Sequence, residues 1–413
     1  MSYVDLPKLY YIDKDKYRSE YTIRFNLPDT VRMNLKIKNS QAFFVRNAEI
    51  SDIVFQILKI DKEISQLSSK LPELAHEQFR KRCLIDEIIL TNKIEGIHST
   101  RKEIASILDD LESIVKEKST RKRFWGLVNQ YYMLRTKAPT SLLTCEDIRR
   151  LYDELVLAEV IAENPNNAPD GRIFRKESVS VHTVTEKEIH RGIYPESAIC
   201  ESLEEALAFL NDESIELIYR ISLFHYLLGN IHPFYDGNGR LGRFITSDWL
   251  SRELNPLLAY HISGTILENI NLYHNAFKVC NDTRSLGDIT PFLIMMLNMI
   301  WTAAIQLKEA LNYRHIRLAY YEKIIITLPG AEKERISSLY NILIQAGLFS
   351  ENGISTRDLE KSLDNSYSTI KKELDYITVN DLLIKNRVGR ENFYMLDLEK
   401  LDDSLMKNED LQT

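Results

Sequence analysis

His232-Pro-Phe-Tyr-Asp-Gly-Asn-Gly-Arg-Leu-Gly-Arg243 holds a candidate base, a carboxylate, a Gly-Asn-Gly turn and two arginines in one short segment. His232 can accept a proton near neutral pH. Asp236 is a hard oxygen ligand suited to Mg²⁺. Gly237 and Gly239 permit the dihedrals that turn successive N–H groups toward an anion. Arg240 and Arg243 sit three apart on the helix expected to follow, so they share a face. Their planar forks match phosphate oxygens. Each of these is a part that chemistry on a polyphosphate requires.

The surroundings read as helices. Residues 214–231 form an apolar helix (Ile215, Ile218, Ile221, Leu227, Leu228) that delivers His232 to the loop, and a second helix is expected from about Arg240 to Glu253. Residues 145–161 and 196–212 add two more, with further helices to about Tyr313. Between the first pair, Asn164-Pro-Asn-Asn-Ala-Pro-Asp-Gly171 is a loop, and Arg172 to Val181 alternates as a β-hairpin arm would. Toward the N-terminus, Ile53, Ile57 and Ile60, then Ile85, Ile89 and Ile94, then Glu103 to Val115, keep helical spacing. Tyr21-Thr-Ile-Arg-Phe-Asn26 and Met33-Asn-Leu-Lys-Ile-Lys38 alternate like short strands of an N-terminal arm.

A chain of 413 residues exceeds one ordinary core and points to two or three domains. Hydrophobic content of 44% with 27% charged residues is that of a globular protein. A net charge of −7 opposes any global attraction to nucleic acid or an anionic membrane. Cys83, Cys145, Cys200 and Cys280 are widely separated, with no paired spacing for zinc, and read as reduced thiols. No secretory signal opens the sequence and no long apolar run occurs. The expectation is a cytoplasmic chain without a membrane partner.

The central segment resembles the signature of Fic domains, HxFx(D/E)GNGRxxR, at every specified position: His232, Phe234, Asp236, Gly237, Asn238, Gly239, Arg240 and Arg243. The resemblance extends over about residues 80–310. It implies a mainly α protein, a Fic helical bundle with a β-hairpin flap. Its implied activity is transfer of AMP from ATP to a Ser, Thr or Tyr hydroxyl of a protein, the chain itself included, with release of pyrophosphate. His232 would take the hydroxyl proton and Asp236 would hold Mg²⁺. Asn238 and the amides of Gly237 and Gly239 would cradle the α-phosphate, and Leu241 and Gly242 belong to the same implied ATP-binding stretch. Arg240 and Arg243 would grip the β- and γ-phosphates, and Phe234 would face the core. Tyr273 and Asn281 fall where the family lines its nucleoside pocket. Val179, Ser180, Val181 and His182 fall on the strand that docks a target chain by backbone pairing. Gly239, where phosphate-transferring relatives carry lysine, favours AMP transfer. Another nucleotidyl donor, or phosphotransfer, is the alternative.

Thr91-Asn-Lys-Ile-Glu95-Gly96 resembles the inhibitory motif (S/T)xxxE(G/N) of the same family, placed ahead of the catalytic segment. Gly96 permits a left-handed helix cap. Glu95 would pair with Arg243 and take the place of the γ-phosphate.

From about Ile336 the pattern changes to helix, helix, helix and hairpin, with Ser355 or Thr356 as a cap, a turn at Asp364-Asn365 and a hairpin turning at Gly389. That order resembles a winged-helix domain. Residues 355–391 hold seven basic side chains, Lys371, Lys372, Arg387 and Arg390 among them, and seven acidic ones. This balance makes DNA a disfavoured partner; protein docking or dimer support is favoured over it. A homodimer is implied by resemblance. A transcriptional regulator with a nucleotide-sensing core is a further alternative. The expected organisation is an N-terminal arm and helices over 1–80 and a catalytic domain over 81–313, with its inhibitory helix near 85–96. A winged helix over 330–400 and a tail over 401–413 follow.

Overall fold

The computed structural model describes residues 3–112, 122–134, 140–182, 188–379, 381–388 and 391–403. Val115, the flap segment from Thr183 to Lys187, Gly389 and Arg390 of the expected wing, and most of the 401–413 tail lie outside the described residues. The backbone divides into two compact units. One joins residues 1–62 to 86–307, and the other joins 63–85 to 308–413. Residues 1–62 therefore belong to the first unit and residues 63–80 to the second.

The first unit opens with α1 (Leu6–Ile12) and α2 (Lys14–Asn26). Tyr21 to Asn26 is thus helical, not a strand. The Asp13 side chain caps α2 by accepting the N–H groups of Asp15 and Lys16, both at 3.0 Å. One turn apart, Glu20 and Arg24 pair at 2.8 Å. A capped helix with such a pair outweighs a short alternation. The second alternating stretch does form a strand. β1 (Thr30–Ile37) pairs antiparallel with β2 (Ser40–Val45), burying Met33, Leu35 and Ile37 and exposing Asn34 and Lys36.

Next come α3 (Ala48–Ser68), α4 (Glu73–Ile94), α5 (Arg101–Glu112), α6 (Trp125–Met133) and α7 (Cys145–Tyr152). A π-turn over Asp153–Leu157 leads to α8 (Ala158–Glu163). β3 (Ser180–His182) pairs antiparallel with β4 (Glu188–Arg191), Val181 opposite His190. The expected hairpin arm from Arg172 is irregular until Ser180, for a visible reason. The Glu196 carboxylate accepts the N–H groups of Arg172, Ile173 and Phe174 at 2.7–3.0 Å, and Asp170 accepts that of Lys176 at 2.9 Å. Donors spent on side chains cannot build a ladder.

α9 (Glu196–Leu210), α10 (Leu217–Ile231), α11 (Asn238–Leu250), α12 (Ile262–Glu268), α13 (Ile270–Cys280) and α14 (Thr290–Ile324) complete the bundle. α10 and α11 are buried along nearly their whole length, so the loop joining them is held from both sides by core helices. α14 is long and apolar enough to cross a bilayer by composition, and 56% of its most apolar window is packed inside the fold.

In the second unit, α15 (Glu334–Phe349), β5 (Ile354–Ser355), α16 (Thr356–Leu363), α17 (Tyr367–Val379), β6 (Leu383–Val388) and β7 (Glu391–Leu396) follow in order. The strands form an antiparallel sheet ordered β5-β7-β6. Ser355 caps α16 through the Asp358 N–H at 3.0 Å, and Asp364, at φ 49°, ends it.

Candidate active site

His232 caps the C-terminus of α10 in the left-handed region, φ 53° and ψ 62°, with its N–H on the Leu228 carbonyl at 2.9 Å. This turns the chain sharply out of α10 and into the loop. Burial lowers the imidazole pKa, and nearby His190 and the Arg175 guanidinium lower it further, to about 3. The ring is therefore neutral at physiological pH, the form in which a general base starts.

The loop is fixed by Asn238. Its Oδ1 accepts the Phe234 N–H at 3.0 Å and its Nδ2 donates to the Phe234 carbonyl at 2.9 Å. Phe234 is fully buried, stacked on Tyr152 with centroids 3.6 Å apart, and Tyr152 donates its hydroxyl to the Asp236 carbonyl at 3.1 Å. Phe234 thus anchors the loop to the core. The Asn238 side chain holds the loop through these two bonds. Gly237, at φ 83°, makes the turn into α11, and its N–H is taken by Asp236 Oδ1 at 2.5 Å. The first intrahelical bond of α11 runs from the Leu241 N–H to the Gly237 carbonyl at 3.0 Å. The N–H groups of Asn238, Gly239 and Arg240 precede it, and such helix-start donors are where an anion binds. Leu241 is core and Gly242 lies against His225.

A carboxylate already stands there. Glu95 Oε1 lies 2.7 Å from Arg243 Nη2. Arg243 also donates from Nε to Thr91 Oγ1 at 2.7 Å and from Nη2 to the Thr91 carbonyl at 3.1 Å. α4 delivers both residues one turn apart and then stops. Gly96, at φ 73°, lets its own N–H reach the Lys93 carbonyl and the Ile97 N–H reach the Asn92 carbonyl. Burial pushes the Glu95 carboxyl up, but Arg243, with Arg240 and His232, holds it below the usual range.

Arg240 is turned differently from expectation. It pairs with Glu159 at 2.9 Å, both side chains being buried, while its Nε and Nη2 lack hydrogen-bond partners within the protein. Burial raises Glu159 to about 7, against the pull of Arg240. Nothing in the sequence marks Glu159 or Tyr152, each an ordinary helix residue far from the motif.

Tyr273 and Asn281 are largely engaged within the fold, although Asn281 Nδ2 keeps no partner among the described residues. The Tyr273 hydroxyl meets His225 Nε2 at 2.7 Å, and Asn281 Oδ1 accepts from the Tyr226 hydroxyl and from Asn230 Nδ2, each at 2.7 Å. Both side chains are buried, because that face of α13 packs inward on α10. In the flap, Val179 is half-buried before β3, and Ser180, Val181 and His182 form it. Asp236 is the single carboxylate of the loop, and no cluster of three metal-ligating side chains occurs among the described residues.

Residues 142–250 match the model of the Fic/DOC family. Protein adenylyltransferase fic-1 of Caenorhabditis elegans is 26% identical over 269 residues, which are 62% of this chain and 48% of the relative. The Caenorhabditis briggsae protein of the same name gives the same figures. The chain thus spans about half the length of these curated relatives. A Fic family protein from Desulfovibrio desulfuricans superposes with a TM-score of 0.48 at 18% identity, over 85% of this chain and 97% of the other. A Fic domain containing signaling protein from Bacteroides thetaiotaomicron gives 0.44 at 19%, over 62% and 97%.

Proposed function

We propose that this chain, which carries a Fic/DOC domain over residues 142–250, is an autoinhibited protein adenylyltransferase. The observation that carries the reading is the convergence of a neutral imidazole at His232, the helix-start amides of α11 and the Arg243 guanidinium on one loop and the helix it opens. A hydroxyl of a target Ser, Thr or Tyr attacks the α-phosphorus of ATP. The new P–O bond forms as the bond to the bridging β-oxygen breaks, and pyrophosphate leaves. His232 takes the hydroxyl proton. The α11 amides face the charge that grows on the α-phosphate oxygens. Arg243, once released by Glu95, and the two unpartnered donors of Arg240 face the leaving group.

Mg²⁺ fits this site. It usually binds through one or two carboxylates plus substrate phosphates, and Asp236 offers one carboxylate beside the helix-start amides. When bound, the ion would neutralise phosphate charge.

Glu95 and Thr91 engage Arg243 in place of a phosphate, and this is the brake. In the second unit, the order of helices and the β5-β7-β6 sheet support reading it as a winged helix. Its evenly balanced charge favours protein docking over DNA.

Incubation of the Glu95→Gly variant with α-labelled and, separately, γ-labelled ATP tests the reading. AMP transfer puts only the α label on protein. Label from the γ position alone would establish phosphotransfer instead.

A further inference from the structure

Arg175 is fully buried, and each of its side-chain hydrogen bonds ends on a backbone carbonyl. Nε donates to the carbonyl of His232 at 2.9 Å, Nη2 to that of Ile193 at 2.7 Å and Nη1 to that of Glu177 at 2.5 Å. Among the described residues no carboxylate is hydrogen-bonded to it. A buried cation without a counter-charge is a costly way to hold three carbonyls.

The three carbonyls belong to two parts of the site. His232 is the strained, left-handed residue that presents the imidazole. Glu177 leads into β3 and Ile193 leaves β4, so they are the two roots of the flap. Parallel bonds run between the same partners. The Arg175 N–H reaches the Pro233 carbonyl at 3.3 Å, the Ile193 N–H reaches the Ile231 carbonyl at 3.0 Å, and the Glu177 N–H reaches the Tyr235 hydroxyl at 3.0 Å. Gly192 leaves the room this requires, since a Cβ there would fall 2.5 Å from Nη2 of Arg175 and 3.0 Å from Cβ of His232.

We propose that Arg175 is a positioning residue that clips both roots of the β3–β4 flap to the residue supplying the base, so that a chain paired to the flap arrives in register with His232. The proposal rests on the roles of flap and base given under Proposed function. The clip also sets a charge beside the imidazole, which faces Arg175, His190 and Glu95.

The test uses the full chain carrying Glu95→Gly, with Arg175→Met or Arg175→Lys added. Amide hydrogen exchange needs no nucleotide. Arg175→Met should raise exchange about tenfold in both the 188–193 and the 231–236 segments, leaving α15 unchanged. The self-labelling rate with α-labelled ATP should fall about 10- to 100-fold in both variants, with MgATP affinity unchanged. The acid limb of that rate should move to higher pH in Arg175→Met, which removes the charge, and stay in place in Arg175→Lys. Unchanged exchange in either segment overturns the clip, as does exchange raised throughout the chain or an acid limb moved equally by both variants. A Glu95→Gly parent that never self-labels refutes the transferase reading, and the exchange data then decide the clip alone.

Discussion

Glu95 Oε1 sits 2.7 Å from Arg243 Nη2, and the same oxygen would lie 2.1 Å from a Cβ built on Gly239. One carboxylate therefore occupies both the guanidinium and the start of the anion-binding turn. A charge-assisted hydrogen bond of about 1.5–3 kcal/mol corresponds to roughly ten- to a hundredfold in competition with a phosphate. Glu95→Gly should raise the rate of α-label incorporation by about that factor. Because the folded Glu95 pKa is depressed, its pairing is fully present above the ordinary glutamate range and is lost only as pH falls through the lowered value. The wild-type rate should therefore show no release of inhibition between neutral pH and about pH 5. Equal labelling by wild type and variant would end the assignment.

His232→Ala should lower transfer by about 10²–10⁴-fold, the usual contribution of a placed base, while MgATP still binds, since the α11 amides and Arg243 are intact. The low pKa of His232 adds a sign. Burial, with His190 and Arg175, keeps the ring neutral down to about 3, so kcat/KM of Glu95→Gly should lack an imidazole limb near the ordinary histidine value of about 6.5. A half-maximal rate at that ordinary value would show that the base is solvated or is another residue.

The placement of the 232–243 segment, an apolar helix leading to His232 and a Gly-Asn-Gly turn opening the next helix, was legible because its parts are adjacent in sequence. So was the α4 terminus, where Gly96 signals its cap. What the sequence concealed depends on contacts between distant segments. Arg240 reads as a phosphate ligand with its whole guanidinium, and only the fold shows that α8 sets Glu159 against one end of it while Nε and Nη2 keep no partner among the described residues. That the Asn238 side chain also closes on the Phe234 backbone is visible only in the fold. Tyr273 and Asn281 lie on a helix whose inward face is set by packing on α10, which periodicity alone does not orient. Tyr21 to Asn26 alternates, yet the deciding information is the Asp13 cap several residues earlier.

Gly239→Ala should be destabilising in wild type, because the added methyl would meet the Glu95 carboxylate at 2.1 Å and Arg243 Nη1 at 3.0 Å. Glu95→Gly removes the nearer obstacle. The two substitutions should couple by about 1–2 kcal/mol in denaturant unfolding, the double variant losing less than the sum of the singles. Additive losses would place the carboxylate away from Gly239 in solution.

Glu87 lies one turn ahead of Thr91 on α4 and is fully buried. Its carboxylate accepts the Ser263 hydroxyl at 2.5 Å and the Ser263 N–H at 3.0 Å, tying α4 to α12. Burial raises its pKa to about 7, against the lowering by Ser263 and Arg243. A carboxyl whose folded pKa lies above its unfolded one binds its proton more tightly when folded, so its contribution to stability is largest below the unfolded value and declines as pH rises toward the folded one. Stability should fall by on the order of 2–4 kcal/mol from this group between about pH 4.5 and 7, then level off. Glu87→Gln cannot release a proton, and its amide oxygen can still accept from Ser263. Its unfolding free energy should therefore vary less with pH across that window, the residual slope coming in part from Glu159, which also titrates near 7. A slope identical to wild type in urea unfolding at several pH values would mean that Glu87 is ionised in the folded chain throughout, and that α4 is held to α12 by a buried charge.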